Sequence, residues 1–412
     1  METDSIVKQG PEHGQEIGGA DLVVRILGEF GADAVAAVCD ALRSVSGSPR
    51  IAILHDGPSP NLPNSNSEGS ASLFFVPLPP PALEAPGVAL LSVVAAYQSV
   101  FVASEKFGAR GCCVIASQIE GAPLQWVCRL AEPLLGGETD FVVPYYARHK
   151  FEGLLNSSII SPLMRSLYGK RIHNPMGPDL GISRRLFSKI LGAELKAGGG
   201  GVHPLASLAP TAVCTGLQVS EVHIGPRIYA PTDWTNISSL LARVLDPVFA
   251  DMERNAACWQ RIRGSAPVAA AGDPVFVSQD TGSVEVKRMV ESFQLGNREL
   301  QEIWSLVLPP ATLFELRKLL RLSPDQFHMD DALWVRIVYD FALAHRLRTI
   351  NRDHLLKSMT PLYLGWAASY AREVQNAGAL ALGQRLERLA LAYESGKPYL
   401  VSRWRWPDRF SP

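Results

Sequence analysis

Residues 140–185 read DFVVPYYARHKFEGLLNSSIISPLMRSLYGKRIHNPMGPDLGISRR. The run Phe141, Val142, Val143, Pro144, Tyr145, Tyr146 is apolar, β-branched and aromatic, which predicts a strand. Arg148, His149 and Lys150 then stand at that strand's carboxyl end, where open α/β sheets take their ligands. Lys170 and Arg171 form a second basic pair. Asn174, Gly177 and Asp179 fall in a loop broken by Pro175 and Pro178, ahead of a helix opening at Ser183. Cations, amides and Gly-Pro turns between two apolar runs suit an anion, although a solvated basic turn has the same composition.

The same alternation extends outward. Residues 21–27 (DLVVRIL) and 50–54 (RIAIL) predict strands on either side of a helix over 32–45. A helix over 88–106 precedes residues 111–116 (GCCVIA), apolar on both alternating faces and so a central, fully buried strand. Residues 219–224 predict a late strand. Strands alternating with helices imply a mostly parallel sheet with helices on both faces. Residues 58–72 are Pro/Ser/Asn-rich and predict a loop, a second Pro cluster covers 77–86, and glycines 198–201 predict a hinge. Beyond residue 282, apolar residues recur at helical spacing, as in Leu333, Trp334, Ile337, Val338 and Phe341, with a capping-box-like Ser323-Pro324-Asp325-Gln326 upstream. The predicted organisation is a tail over 1–19, an α/β domain over 20–263, a linker over 264–282 and an α-helical region over 283–412.

The 412-residue chain is 47% hydrophobic and 19% charged, enough to bury large cores, and its formal net charge is −1. No global field recruits nucleic acid or an acidic membrane. The first nineteen residues lack an apolar core of the signal-peptide kind, and no run is long enough to insert in a bilayer. The six cysteines, Cys39, Cys112, Cys113, Cys128, Cys214 and Cys258, show no CxxC pair and no dense spacing. They predict reduced, buried thiols and a cytoplasmic protein. No Gly-x-Gly-x-x-Gly follows the first strand, which argues against a dinucleotide-dependent oxidoreductase.

Several linked motifs occur in order: Asp140-Phe141 with residues 144–150, then Asn156, Pro162-Leu163, residues 167–169, Arg171-Ile172, residues 175–179 and Ser183. They continue with residues 333–335 and 339–342, residues 361–365, and Lys397-Pro398-Tyr399-Leu400. In these the chain resembles the retaining GT-A glycosyltransferases that make glucosylglycerate or glucosyl-3-phosphoglycerate, and their mannosylglycerate-synthase relatives. The resemblance implies a GT-A α/β fold with a helical carboxyl region. It also implies an acceptor site at Arg148, His149 and Lys150, closed by Asn156 and Gly177, with Asp179 positioning a reacting hydroxyl. Arginine offers a bidentate fork to an acidic acceptor, so the chemistry agrees.

The donor half departs from that family. Its Asp-x-Asp for a divalent metal is Ala116-Ser117-Gln118 here, and its later metal-binding His falls at Tyr229 in Arg227-Ile228-Tyr229-Ala230-Pro231. Mg²⁺ or Mn²⁺ wants oxygen ligands, usually carboxylates, so no metal cofactor is expected. The family's Gly-Lys-Gly is Pro86-Gly87-Val88, its opening Pro-x-x-Asn-Glu falls on Leu27-Gly28-Glu29-Phe30, and only Asp56 survives of its acidic strand-end motif. The donor-binding expectation is therefore Asp56, Ser117, Gln118, Arg227 and Tyr229. Glu120, His55 or His223 are the substitutes available to a rebuilt metal site. Two readings stay open: hexosyl transfer from a nucleoside diphosphate sugar to a glycerate-type acceptor, or an inactive GT-A paralogue that binds a sugar acid or assembles with an active homologue. Self-association into a homo-oligomer is compatible with either.

Overall fold

The computed structural model describes residues 19–27, 31–55, 70–77, 88–116, 125–196, 203–226, 234, 236–273 and 284–406. Its centre is an eight-stranded sheet. The strands are β1 (Leu22–Ile26), β2 (Arg50–His55), β3 (Ser72–Pro77), β4 (Gly111–Ile115), β5 (Phe141–Ala147), β7 (Leu180–Ser183), β8 (Val219–Pro226) and β10 (Ala269–Ala271). They lie in the order β10-β8-β5-β7-β4-β1-β2-β3. A separate pair joins β6 (Lys170–Arg171) to β9 (Ala266–Pro267). β1 and β4 are buried at every residue, as continuous apolar runs in a parallel sheet must be. The parallel frame, the helices and the helical carboxyl region are those the sequence predicts.

Helices α1 (Ala32–Arg43) and α3 (Gln125–Gly136) cover one face of the sheet, where Val35, Val38, Leu130 and Leu134 pack on Val24, Ile53 and Val142. The other face receives α2 (Val88–Lys106), α5 (Arg184–Lys196) and α6 (Pro204–Cys214) through Tyr97, Phe101, Leu186, Phe187 and Leu208. A π-helical turn, Asn156–Ile160, runs into α4 (Ser161–Tyr168), and α7 (Ile237–Arg254) and α8 (Ala256–Trp259) close this half. The carboxyl region holds α9 (Val286–Glu299), α10 (Gln301–Val307), α11 (Pro310–Leu319), α12 (Asp331–Leu347), α13 (Arg352–Ser358), α14 (Thr360–Val374) and α15 (Ala379–Arg405).

One apolar core joins the two halves. Leu163 and Leu167 of α4, with Leu241 and Leu245 of α7, belong to the same buried cluster as Trp334, Trp366 and Tyr393 of the carboxyl helices. Polar ties reinforce it: Trp334 Nε1 and the Tyr393 hydroxyl both donate to the Ser158 carbonyl, at 3.3 and 2.9 Å. Arg165 grips Glu387 with two guanidinium nitrogens (2.5 and 2.8 Å) and Glu394 with a third (2.7 Å). Trp404 is buried edge-on to Trp259 at 5.3 Å, so it seals this interface, whereas Trp406 is exposed.

Four expectations need correction. β7 runs antiparallel between β4 and β5. The loop through Pro175 and Pro178 feeds the chain into the sheet before any helix starts, and α5 begins at Arg184 with the Ser183 hydroxyl accepting the Leu186 N–H at 3.4 Å. Residues 269–271, within the stretch expected to be linker, extend the sheet by pairing with β8. The motif at Ser323 makes only a turn. α12 starts later, where the Asp330 side chain accepts the Ala332 N–H. Finally, Cys214 and Cys258 are disulfide-bonded, while Cys39, Cys112, Cys113 and Cys128 are free and buried. The bridged cysteines end α6 and sit in α8, helices that tertiary packing brings together and no local spacing announces. Their bonding removes the thiol-based argument for a reducing compartment. Among the described residues no helix is long and apolar enough to cross a membrane. The 1–19 tail (Gly19 apart), the loop over 58–69, most of the second Pro cluster, glycines 198–201 and residues 274–283 lie outside the described residues.

Asp340 of α12 accepts the Tyr399 hydroxyl at 2.8 and 3.0 Å and pairs with Arg403 at 3.1 Å. Even so, its burial pushes the carboxyl up to about 7. The ordinary value is about 3.9. Its protonated form therefore stabilises the fold fully below that value, and the contribution is lost as the pH rises through the folded one. Urea unfolding should show the stability of wild type relative to Asp340→Asn falling between about pH 4 and pH 7. A difference that stays flat across that range refutes the shift.

Candidate functional site

The chain leaves β1 toward β2 and β3 on one side and resumes at β4 on the other, so the carboxyl ends of β1 and β4 flank the topological switch point. Crevices of this kind hold ligands in open α/β sheets. The loop expected to close the acceptor site is fastened across this edge. Asp179, fully buried, accepts the Ala116 N–H at 2.7 Å through one carboxylate oxygen and the Tyr146 hydroxyl at 2.5 Å through the other. The Tyr97 hydroxyl donates to the Pro178 carbonyl at 2.5 Å, and Asn174 Nδ2 to the Pro144 carbonyl at 3.0 Å. Gly177 fits because it has no side chain: a Cβ there would lie 2.8 Å from the Pro144 ring.

Arg148 follows β5 and lies with its guanidinium 5.4 Å from the centre of the Tyr146 ring, against the backbone of Gly153. A Cβ on Gly153 would fall 2.0 Å from Arg148 Nη1, and its φ of +60° also favours glycine. Asn156 Nδ2 donates to the His173 carbonyl at 2.7 Å and approaches Asn174 Oδ1 at 3.4 Å. Tyr146 thus links Arg148 to Asp179, and Asn174 links Asn156 to the loop holding Gly177. Lys150 turns elsewhere: its ammonium donates to the Gln375 carbonyl at 2.5 Å beyond α14, and its own carbonyl accepts the Tyr370 hydroxyl at 3.1 Å. His149 belongs to a local turn, its N–H bonded to Glu152 Oε2 at 3.1 Å.

A second polar group lies beside this edge. Glu221, buried on β8, takes the backbone N–H of His173 at 2.6 Å and is 2.8 Å from its Nδ1. The imidazole stacks on Tyr145 at 3.8 Å, and the His223 ring is tilted against Tyr145 at 4.7 Å. Burial holds His223 below the ordinary histidine value. Sequence reasoning missed the His173–Glu221 pair, whose partners are 48 positions apart. It also passed over Tyr146, inside a strand read for its apolarity, and Arg25, the one charged residue of β1.

The donor-side residues Asp56, Ser117, Gln118, Arg227 and Tyr229, with Glu120, lie outside the described residues. Of the three positions where the family resemblance places a metal, Ala116 is described. Its side chain is a methyl and its N–H is given to Asp179. With glutamine and tyrosine at the other two, this donor set does not fit a hard divalent cation. Among the described residues, no group of three His, Cys, Asp or Glu side chains is arranged to hold a metal. A cavity of about 480 Å³ lies at the opposite, amino edge of the sheet, lined by Asp21, Pro49, Arg110 and Glu132. Asp21 there accepts the Arg50 N–H and Arg110 donates to the Leu135 carbonyl, so these charges serve strand ends on the side away from the candidate site.

No family model matches the chain, and no curated protein sequence matches it. Among solved structures it is similar to glucosyl-3-phosphoglycerate synthase from Mycobacterium tuberculosis in complex with phosphoglyceric acid, at 16% identity, 57% coverage of this chain, 80% of that one and a TM-score of 0.36. The same enzyme with Mn²⁺, UDP-glucose and phosphoglyceric acid gives 16%, 58%, 80% and 0.36. Mannosyl-3-phosphoglycerate synthase from Rubrobacter xylanophilus gives 13%, 60%, 79% and 0.35. Superpositions this loose assign no residue a role and carry no argument about activity.

The clamp itself is testable. Asp179→Asn keeps the shape of the side chain but replaces one acceptor with an amide donor, leaving either the Ala116 N–H or the Tyr146 hydroxyl without its bond. Urea denaturation should show a loss of about 1–3 kcal/mol, the cost of an unsatisfied buried polar group, with faster hydrogen exchange at the Ala116 amide. Unchanged stability and exchange would remove Asp179 from this clamping role.

Proposed function

We propose that the chain is a glycosyltransferase acting on nucleotide sugars, moving a hexosyl group, glucosyl by the resemblance, to glycerate or 3-phosphoglycerate with retention of configuration. One observation carries this reading: the motifs that resemble the glucosylglycerate-type synthases, scattered from Asp140 to Leu400, converge in space on one segment. Trp334 and Tyr339 of α12 bond to Ser158 and Ser166, Lys397 of α15 bonds to the end of α4, and Tyr370 bonds to the Lys150 carbonyl. Three helices of the carboxyl region thus bear on the segment from Lys150 to the end of α4, which joins the 148–155 and 169–179 stretches of the candidate site.

In this reading Arg148 meets the acceptor carboxylate or phosphate through its fork of donors, with Asn156 ordering the adjoining loop and Lys150 anchoring the segment to the Gln375 carbonyl. Asp179 acts with Tyr146 as a positioning pair, fixing the loop of Gly177 against β5 so that the acceptor hydroxyl is held near the sugar. The departing phosphate oxygen takes the acceptor proton on the same face, and no protein base is required. Asp56, Ser117, Gln118, Arg227 and Tyr229 are the proposed donor contacts. The reaction proceeds without a divalent metal, since the metal-binding positions supply no carboxylate; fixed cations then offset charge on the leaving diphosphate.

Calorimetric titration of 3-phosphoglycerate and glycerate into wild type and Arg148→Ala tests the acceptor side. The variant should bind more weakly by about 1.5–3 kcal/mol, the range for a hydrogen bond to a charged group. Equal affinities would exclude Arg148 from the site. If wild type binds neither sugar acid and forms no glycosylated product from nucleoside diphosphate sugars, the transferase reading fails.

A further inference from the structure

Of the six cysteines, Cys214 and Cys258 are half-buried and bonded to each other, with Thr215, Gly216 and Ala257 beside them exposed, while Cys39, Cys112, Cys113 and Cys128 are free and buried. Burial pushes the Cys39 and Cys112 thiols up to about 12 and raises Cys113 and Cys128 as well. A thiol reacts as its thiolate, so those four stay out of exchange and the bridged pair is what a dissolved reductant meets. The surrounding frame has fastenings of its own. Arg254 of α7 donates to the Ser207 hydroxyl of α6 at 3.1 Å, the Tyr168 hydroxyl of α4 bonds Asp251 of α7 at 3.2 Å, and Leu241, Leu245 and Phe249 of α7 lie in the shared apolar core. What the bond adds is a hold on α8, a single turn with too few hydrogen bonds to stand by itself.

The segment that leaves α8 is built onto the turn between α4 and the candidate loop. Trp259 meets Trp404 edge-on at 5.3 Å. Ile262 packs on Gly169 so closely that a Cβ there would lie 2.7 Å from its Cγ2, and its carbonyl takes the Lys397 ammonium at 2.9 Å. The Ala266 N–H donates to the Gly169 carbonyl at 3.0 Å, β9 pairs with β6, and Arg171 Nε donates to the Ser265 hydroxyl at 3.1 Å. Residues 170–172 run directly into His173 and the loop over 174–179. We propose that the Cys214–Cys258 bond is a redox switch for this edge: a dithiol reductant opens it, α8 comes loose, and the 259–267 segment releases the loop it holds. One thiolate of the reductant attacks a sulfur of the bridge, forming a mixed disulfide and expelling the other sulfur as a thiolate, which takes a proton. The reductant's second thiol then displaces the first cysteine. Two electrons pass, Cys214 and Cys258 end as thiols, and the reductant ends as a disulfide.

The test reads conformation, so it stands whether or not the transferase reading does. The folded protein is treated with dithiothreitol, alkylated and mapped by mass spectrometry: Cys214 and Cys258 should take the label and the four buried cysteines should not. Hydrogen exchange on the reduced protein should then speed by about tenfold or more at the Gly169, His173, Trp259 and Ala266 amides, which are bonded in the oxidised form, while β1 and β4 change by less than about twofold. Reoxidation should restore the original rates, and Cys258→Ser should reproduce the reduced pattern without reductant. Unchanged exchange across 256–266 and 169–173 in the reduced protein overturns the switch and makes the bond a passive cross-link. Protection lost throughout the sheet also overturns it, since the bond would then be a staple of the whole fold. So does a bridge that dithiothreitol cannot open in the folded protein. Should Cys258→Ser fail to fold, the reduced wild type decides alone, by the same outcomes.

Discussion

Within the apolar core that joins the two halves, a buried ammonium pins the end of α4 to the carboxyl helices. Lys397 of α15 donates to the Ser166 and Leu167 carbonyls at the end of α4 (2.7 and 2.9 Å) and to the Ile262 carbonyl beyond α8 (2.9 Å). Desolvation lowers its pKa to about 8, but three carbonyl oxygens, two at a helix carboxyl end, favour the charged form near neutral pH. The chain turns sharply there, with Gly169 left-handed at φ +67°. Fixing the end of α4 fixes what precedes and follows it: residues 148–156 on one side and residues 170–179 on the other. Both stretches carry the candidate site, so its geometry depends on an attachment more than two hundred residues away in sequence.

The frame was legible where physics is local. β1, β4 and β5 announce themselves as continuous apolar runs because a parallel sheet is covered on both faces, and α2 has the bounds expected of it. β7 was not legible: four residues after a proline-broken loop carry no periodicity that separates a strand from a helix start. The Cys214–Cys258 bond was hidden for the same reason in reverse, since nothing near either cysteine refers to the other. Trp334, Tyr339 and Lys397 could be picked out as parts of motifs, but that they reach Ser158, Ser166 and the end of α4 is a property of packing. Arg25 was visible throughout as a charge inside an apolar strand. A period-based reading passes over such a residue, although a buried charge is the clearest departure a strand can show.

The candidate site divides by charge. Asp179 is turned inward, where its carboxylate ties β4 to β5 through an amide and a phenol and is shielded from solvent. Arg148 lies across the Tyr146 ring from it, so the buried carboxylate orders the edge without cancelling that cation. This arrangement suits an anionic ligand better than a neutral one, because a cation already desolvated against an aromatic face loses less on meeting an anion.

The disulfide belongs to the same construction. Cys214 ends α6, which packs on the sheet, and Cys258 lies in α8 beside Trp259, whose ring meets Trp404, and four residues before Ile262, whose carbonyl meets Lys397. α8 is only one turn long and gains little from its own hydrogen bonds. It is held from the sheet side by a covalent bond and from the helical side by an aromatic contact and an ammonium. Glu221, on the strand that follows α6, then holds His173 ahead of the loop over 174–179. From α6 the ordering runs along two routes, one through the disulfide to the carboxyl helices and one through β8 to residues 173–179, and both end at the same edge of the sheet.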